Sequence, residues 1–330
     1  MKKELPSHAR WEEDVIPLLP VRFRPWVEAL PAGVKEGLEE IRVRVGKPVS
    51  LICGGEAGYL GEGKMQGAAE GALEATADDC QALFLNVTEH SAYAYDNELK
   101  SGYITLRGGY RVGIAGRTVQ DNGSWRLINC TFYNIRINRQ VIGAADNVIP
   151  RLLDEDGLVC NTLIVSPPGM GKTTMLRDIA RQLGSGAAGK PLKVCVADER
   201  SEIAGCKNGI PQNDVGLTTD VLDGCPKADG IMMILRAMSP DVIITDELGR
   251  KEDADAIREA VNAGVRIIAS AHGNSVDELE MRPAMRQMMR EGIFRRVVIL
   301  GASMGRGTVE YILDGHTGEK LVSAAFKCSG

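Results

Sequence analysis

"TLIVSPPGMGKTTMLRDIA", residues 162–180, reads as a strand, a tight loop and a helix in immediate succession. Residues 162–165 are a short apolar run of the kind that makes a buried strand. Pro167, Pro168, Gly169, Met170 and Gly171 form the loop, and Lys172, Thr173 and Thr174 open a helix that continues with Met175, Leu176 and Ile179 on one face. Such a loop aims backbone N–H groups and a helix N-terminus at bound phosphates. Ser166 and the eight residues that follow it, 167–174, are the expected contacts to ATP. Lys172 reaches the β- and γ-phosphates, and the Thr173 hydroxyl holds Mg²⁺. The usual spacing is GxxxxGK[ST], and here Ser166 stands where the first glycine belongs. That substitution is tolerable if Ser166 ends the strand in an extended conformation, because the later glycines make the close approach.

A phosphate loop needs a carboxylate partner, and "PDVIITDELGR", residues 240–250, supplies it. Its apolar strand ends in Asp246, placed to bind Mg²⁺ through water. Glu247 beside it is placed to polarise an attacking water. Two more strand ends carry polar groups. "VCVADERSEIAG", residues 194–205, puts Asp198, Glu199, Arg200 and Glu202 after a strand, and "VRIIASAHGNSVDEL", residues 265–279, puts Ser270 and His272 at the end of another. In open α/β sheets, ligands bind outside the carboxyl ends of the strands. His272 therefore reads as a sensor of the γ-phosphate or of a neighbouring subunit, on a strand between those of the loop and of Asp246.

Outside these segments the second half continues to alternate. Strands are expected at 162–166, 193–197, 241–246, 265–271, 296–300 and 308–313, and helices at 171–184, 227–238, 252–263 and 275–291. That order implies a mostly parallel sheet with helices on both faces. The first half reads as a smaller α+β or mainly β domain, residues 1–140. In "LEEIRVRVGKPVSLI", residues 38–52, Ile41, Val43 and Val45 alternate with Arg42 and Arg44, the signature of a half-buried strand. Residues 54–71 hold seven glycines, which suits hairpin turns. A helix follows at 76–90, and residues 102–119 give two strands hinged at Gly108 and Gly109. Residues 141–158 read as a linker leading into the second domain, 159–330.

The 330-residue chain has the composition of a globular protein: 44% apolar and 25% charged, with a formal charge of -5 that argues against a general nucleic-acid coat. No apolar run approaches the roughly 20 residues that span a bilayer. The first residues, "MKKELPSHARWEEDV", show no secretory signal, and the eight cysteines contain no CxxC pair, as expected of reduced thiols in a cytoplasmic protein.

On these segments the chain resembles the secretion ATPases of type II and type IV systems, pilus retraction motors among them. "LRAMSPDVIITDELGR" resembles their Walker B segment, "ASAHGNSVDEL" their histidine box, and "VADERSEI" lies where their acidic box lies, although Ala197 replaces its usual first acid. The general base is Glu247 or Glu199. "EIRVRVGKPV", "GYRVGIAGR" and "NIRIN" resemble the arginine-bearing strands of their N-terminal domains. Within this group the stage III sporulation protein AA family is the nearest likeness, through "LEEIRVRVGKPV", "GGYRVGIAGR", the Ser-Pro-Pro start of the loop, "DERSEIAG" and the histidine box. The resemblance implies a RecA-like ATPase acting as a hexameric ring. It also implies a place in the mother-cell cytoplasm of an endospore former, at the base of a membrane-embedded transport complex.

Arg111 and Arg117 are the first-half residues expected to complete the active site. Odd-number parity puts them on one face with Arg107, yet they lie roughly 20 Å apart at about 3.3 Å per residue, so they cannot share one phosphate. A RecA-like nucleic-acid ATPase or helicase is the competing reading. The basic strands lack the interleaved aromatics of a single-strand platform, and the chain has only five Phe and three Trp. A small-molecule kinase is the third reading, weakened by Glu247.

Overall fold

The computed structural model describes residues 10–121 and 124–327; the first residues, read as free of a secretory signal, are described only from position 10 on, and Cys328 lies outside the described residues. The chain divides into two compact units, one up to Arg139 and one from Gln140.

The first unit begins with three short helices, α1 (Arg10–Val15), α2 (Arg24–Glu28) and α3 (Ala32–Gly37). Strand β1 (Leu38–Arg44) is followed by β2 (Lys47–Pro48), β3 (Ser50–Cys53), β4 (Glu56–Gly61), β5 (Lys64–Gln66) and β6 (Glu74–Ala75). Helix α4 (Ala77–Val87) is held at its start by Thr76 and Asp79, which cap one another's backbone. Then come α5 (Asp96–Ser101), β7 (Tyr103–Thr105), β8 (Arg111–Asp121) and β9 (Ser124–Arg136). Seven of these strands form one antiparallel sheet in the order β5-β4-β3-β1-β9-β8-β7. Alternation along β1 dictates its two faces. Ile41 lies opposite Ile135, which lies opposite Val112, and Val43, Tyr133 and Ile114 form the next apolar row. These six side chains are buried in the unit's core with α1, α2 and α4. The other face carries the row Glu40, Arg136, Arg111 and the row Arg42, Asn134, Gly113.

The second unit opens with α6 (Ile149–Leu152), then β10 (Thr162–Ser166), α7 (Lys172–Gly184), β11 (Val194–Asp198) and β12 (Thr219–Asp223). It continues through α8 (Lys227–Ala237), β13 (Val242–Thr245), α9 (Lys251–Asn262), β14 (Arg266–His272), α10 (Val276–Glu280), α11 (Pro283–Arg290), β15 (Arg296–Gly301), β16 (Thr308–Asp314) and β17 (Lys320–Val322). Eight strands form one sheet in the order β12-β11-β13-β14-β10-β15-β16-β17. The first six run parallel and the last two close the edge antiparallel. Both faces are covered, so the inner strands are apolar on both sides. Ile164, Val196 and Ile244 meet α7 on one face, while Leu163, Val165 and Ile243 meet α8, α9 and α11 on the other. The fold is mixed α/β.

Three features differ from the expectation drawn from sequence. The helix expected over 275–291 is two helices, because Pro283 drives Arg282 to an extended conformation (φ -93, ψ 121). β12 and β17 are additional strands, one at each edge of the sheet. Residues 141–158 are no free spacer: Ala145, Val148, Ile149 and Leu152 are buried in the core of the second unit, and the Ala145 N–H donates to buried Asp178 on α7 at 2.8 Å. No helix among the described residues is long and apolar enough to cross a membrane.

Candidate functional site

Ser166 is the last residue of β10, fully buried and paired with His272 of β14. It does not belong to the residues with positive φ, so the missing glycine leaves no backbone strain. Gly169 and Gly171 do adopt left-handed conformations, φ +72 and +88, and a β-carbon at Gly171 would lie in contact with the Gly307 α-carbon. The turn thus places its conformational demand on 169 and 171. Gly171 serves as N-cap of α7, whose unsatisfied N–H groups face the loop. Lys172 Nζ donates to the carbonyl oxygens of Ser166 (2.8 Å) and Pro167 (3.0 Å) and lies 3.3 Å from Ser166 Oγ. Burial pulls its pKa down while the charge of Glu247 pushes it up. A cavity of about 330 Å³ opens beside the loop, with Val141, Ala144 and Met175 as apolar walls and Arg306 and Lys327 as cations.

The sheet order puts β14 between β10 and β13. His272 therefore ends the strand that separates the 166–174 loop from Asp246 and Glu247. Asp246 is buried and its pKa is raised to about 6, by desolvation first, against the opposing charge of Lys227. Glu247 is held at φ +29, which is unusual for a residue with a side chain, and a conformation that costs about 1–3 kcal/mol persists only where neighbours hold it. They do. Its N–H donates to Ser270 Oγ at 3.0 Å, the next N–H, of Leu248, donates to the Ser270 carbonyl at 2.7 Å, and its own carbonyl accepts from Lys227 Nζ at 3.0 Å. The Glu247 carboxylate is half exposed, 3.7 Å from Arg200. Past it, Asp253 accepts from the N–H groups of Gly249 and Arg250 and so fixes the turn into α9.

Glu199 leaves the end of β11 and lies 3.7 Å from Lys227, which is also 3.4 Å from Asp246. Its neighbour Asp198 turns inward and accepts from the N–H groups of Glu202, Ile203 and Ala204 at 2.8–3.0 Å. Asp198 thus shapes the loop and leaves Glu199 to face the cavity of about 160 Å³ shared with Asp246 and Glu247. Arg177, buried on α7, donates to the carbonyls of Ile203 and Glu202; burial lowers its pKa to about 10. Sequence reasoning missed both Arg177 and Lys227. A signal existed for the second: a lysine as the first residue of a helix faces the positive end of the helix dipole, which favours it only where acids surround it.

Among the described residues, no three His, Cys, Asp or Glu side chains are grouped to cage a metal. Mg²⁺ that arrives with nucleotide phosphates needs only one or two protein oxygens, and Thr173 with the buried Asp246 fit that smaller demand.

The structure brings the 166–174 loop, Glu199, Asp246, Glu247 and His272 to one end of one sheet. Arg111 and Arg117 belong to the first unit. Arg111 is buried, its guanidinium stacked on Tyr103 at 3.8 Å, whereas Arg117 is exposed. Arg107 lies on the 3-10 turn between β7 and β8, 3.5 Å from Asp14. A groove of about 740 Å³ in the first unit, between α4 and β9, has no charged side chain in its lining and offers nothing to a phosphate.

The family described as sporulation stage III, protein AA, matches this chain over residues 10–321. The chain belongs to that family. Stage III sporulation protein AA of Bacillus subtilis (strain 168) is 43% identical over 303 residues, which is 91% of this chain and 94% of the relative. Among solved structures, the pilus retraction motor PilT with bound ADP matches with a TM-score of 0.54 at 16% identity, over 81% of this chain and 75% of that one. The Yersinia pseudotuberculosis ATPase DotB matches with a TM-score of 0.53 at 14% identity, over 91% and 77%. At such identities the likeness is one of fold alone.

Proposed function

We propose that this chain hydrolyses ATP as a secretion-type motor, with a RecA-like C-terminal domain preceded by a smaller α+β domain. The observation that carries the reading is the convergence of the 166–174 loop with Asp246 and Glu247 across one intervening strand that ends in His272. A fold likeness to ATPases supports it.

In this reading Lys172 leaves the carbonyls of Ser166 and Pro167 and meets the β- and γ-phosphates, while the N–H groups of the loop and of the first turn of α7 face the same oxygens. Mg²⁺, when bound, neutralises charge on the phosphates, and Thr173 and Asp246 are the residues that hold it. Glu247 accepts the proton of the attacking water. It is favoured over Glu199 because its carboxylate is half exposed beside Arg200, whereas Glu199 faces the buried ammonium of Lys227. His272 reads the γ-phosphate or a neighbouring subunit, and Arg111 or Arg117 completes the site from the first domain. The assembly is a hexameric ring on the cytoplasmic side of a membrane-embedded transport complex, in the mother cell of an endospore former.

The test is ATP turnover and nucleotide affinity in Glu247→Gln and Lys172→Ala. Glu247→Gln binds ATP and fails to cleave it, because the amide keeps the shape and loses the basicity. Lys172→Ala loses about 30- to 1,000-fold in rate. Wild-type turnover in Lys172→Ala removes the site, and turnover that single-stranded DNA or RNA stimulates favours a nucleic-acid motor instead.

A further inference from the structure

Lys227 is a buried cation set between Asp246, Glu199 and Glu247, and neither the loop chemistry nor the expected metal chemistry uses it. It is the first residue of α8, preceded by Pro226 as N-cap. Its side chain is 6% exposed, with Asp246 at 3.4 Å and Glu199 at 3.7 Å. It also donates to the Glu247 carbonyl at 3.0 Å. A buried ammonium is stable only when paired and hydrogen-bonded, and its three partners here are the Mg²⁺ carboxylate candidate Asp246 and the two general-base candidates, Glu199 and the backbone of Glu247. Lys172, the other lysine of the site, is bonded to its own loop. Helix position argues the same way. The N-terminus of a helix repels a cation, so Lys227 is held there by the acids.

Glu247 supplies a second, independent observation. Its strained peptide, at φ +29, is gripped on the N–H side by Ser270 of β14 and on the carbonyl side by Lys227 of α8. Without the second grip nothing on the α8 side fixes the direction of the carboxylate.

Resting on the ATPase reading above, we propose that Lys227 is a positioning residue: a built-in cation that holds Glu199, Asp246 and the Glu247 backbone in place before nucleotide arrives. It keeps the acids from collapsing apart by mutual repulsion, and it disfavours a divalent cation that comes without phosphates. A free metal ion would meet the ammonium within the reach of the same carboxylates. A metal ion that arrives with phosphates brings its own anionic ligands and needs only one oxygen from Asp246.

The experiment compares wild type, Lys227→Met and Lys227→Arg by Mn²⁺ binding without nucleotide, read by electron paramagnetic resonance, and by steady-state ATP turnover. Lys227→Met keeps the stem and removes the charge. It gains at least about tenfold in affinity for free Mn²⁺, since one positive charge near 4 Å is removed. It loses about 100-fold in kcat, the effect of an ångström-scale misplacement, while KM for ATP changes little. Lys227→Arg restores the charge and keeps free Mn²⁺ binding at the wild-type level. A variant that merely loosens α8 lowers kcat without tightening Mn²⁺ binding. That result, or wild-type kcat in Lys227→Met, overturns the proposal. If Lys227→Met does not fold, tightened Mn²⁺ binding in Lys227→Arg overturns it equally. If wild type itself cleaves no ATP, the ATPase reading fails while the Mn²⁺ arm still decides whether Lys227 guards the acids.

Discussion

Asp246→Asn makes the free protein more stable, and only above a certain pH. Asp246 is 4% exposed, and its folded-state pKa of about 6 lies above its ordinary value of 3.8. An acid whose folded pKa is raised binds its proton more tightly in the folded state. Below about pH 4 it is protonated whether folded or not and contributes nothing. Between about 4 and 6 the unfolded chain ionises first, so stability falls as pH rises, and above 6 the whole penalty is present. The distance from 3.8 to about 6 corresponds to about 3 kcal/mol, at about 1.4 kcal/mol for each tenfold change in proton affinity. Asparagine cannot ionise and keeps the shape. Urea unfolding of wild type and Asp246→Asn, free of metal and nucleotide, is measured from pH 4 to pH 8. The expected difference is near zero at pH 4 and grows to at most about 3 kcal/mol in favour of the variant at pH 7–8. A difference that does not vary with pH, or a variant less stable at pH 8, refutes the account of Asp246 as a buried carboxylate kept charged for function.

Gly171→Ala places a side chain at φ +88, costs about 1–2 kcal/mol and abolishes nucleotide affinity, measured by a fluorescent ATP analogue. Ser166→Ala leaves the extended backbone unchanged and costs at most about 1 kcal/mol through its lost hydroxyl, with affinity retained. Arg177→Met removes the guanidinium donor from the Glu202 and Ile203 carbonyls and destabilises by about 1–3 kcal/mol, visible as a lowered urea midpoint. Arg117→Gln, at an exposed position, tests the first-unit arginines without disturbing a core; reduced turnover with unchanged unfolding supports their place in the active site, and unchanged turnover removes Arg117 from it. The same test at Arg111 disturbs the stack on Tyr103 and must be judged against its unfolding curve.

The parallel strands were legible because their apolar runs are short, β-branched and covered on both faces. β10, β11, β13 and β14 end at or within a residue or two of the positions expected from sequence. β12 was not legible: in Thr219–Asp223 polar and apolar residues mix, as an edge strand permits. The break at Pro283 was written in the sequence, and the amphipathic pattern running across it concealed it. The strand ends of the candidate site could be read because each joins an apolar run to a charged residue. Lys227 and Arg177 could not be read that way. Both sit in helices and act on partners at least 19 residues distant in sequence; the helix-start position of Lys227 hints at surrounding acids, and local pattern does not name which ones.

Helix α7 begins at the phosphate-loop candidate, and five residues later Arg177 is tied to the carbonyls of Glu202 and Ile203. Asp198 draws the same short segment inward through three N–H groups. Loop, helix and acidic turn therefore form one rigid bracket. On the ATPase reading, a nucleotide that shifts the loop by a fraction of an ångström carries Glu199 along with it. Relative motion between halves of the site falls instead on the side where β14 and α8 hold Glu247 by single hydrogen bonds, and there a small displacement frees a strained peptide.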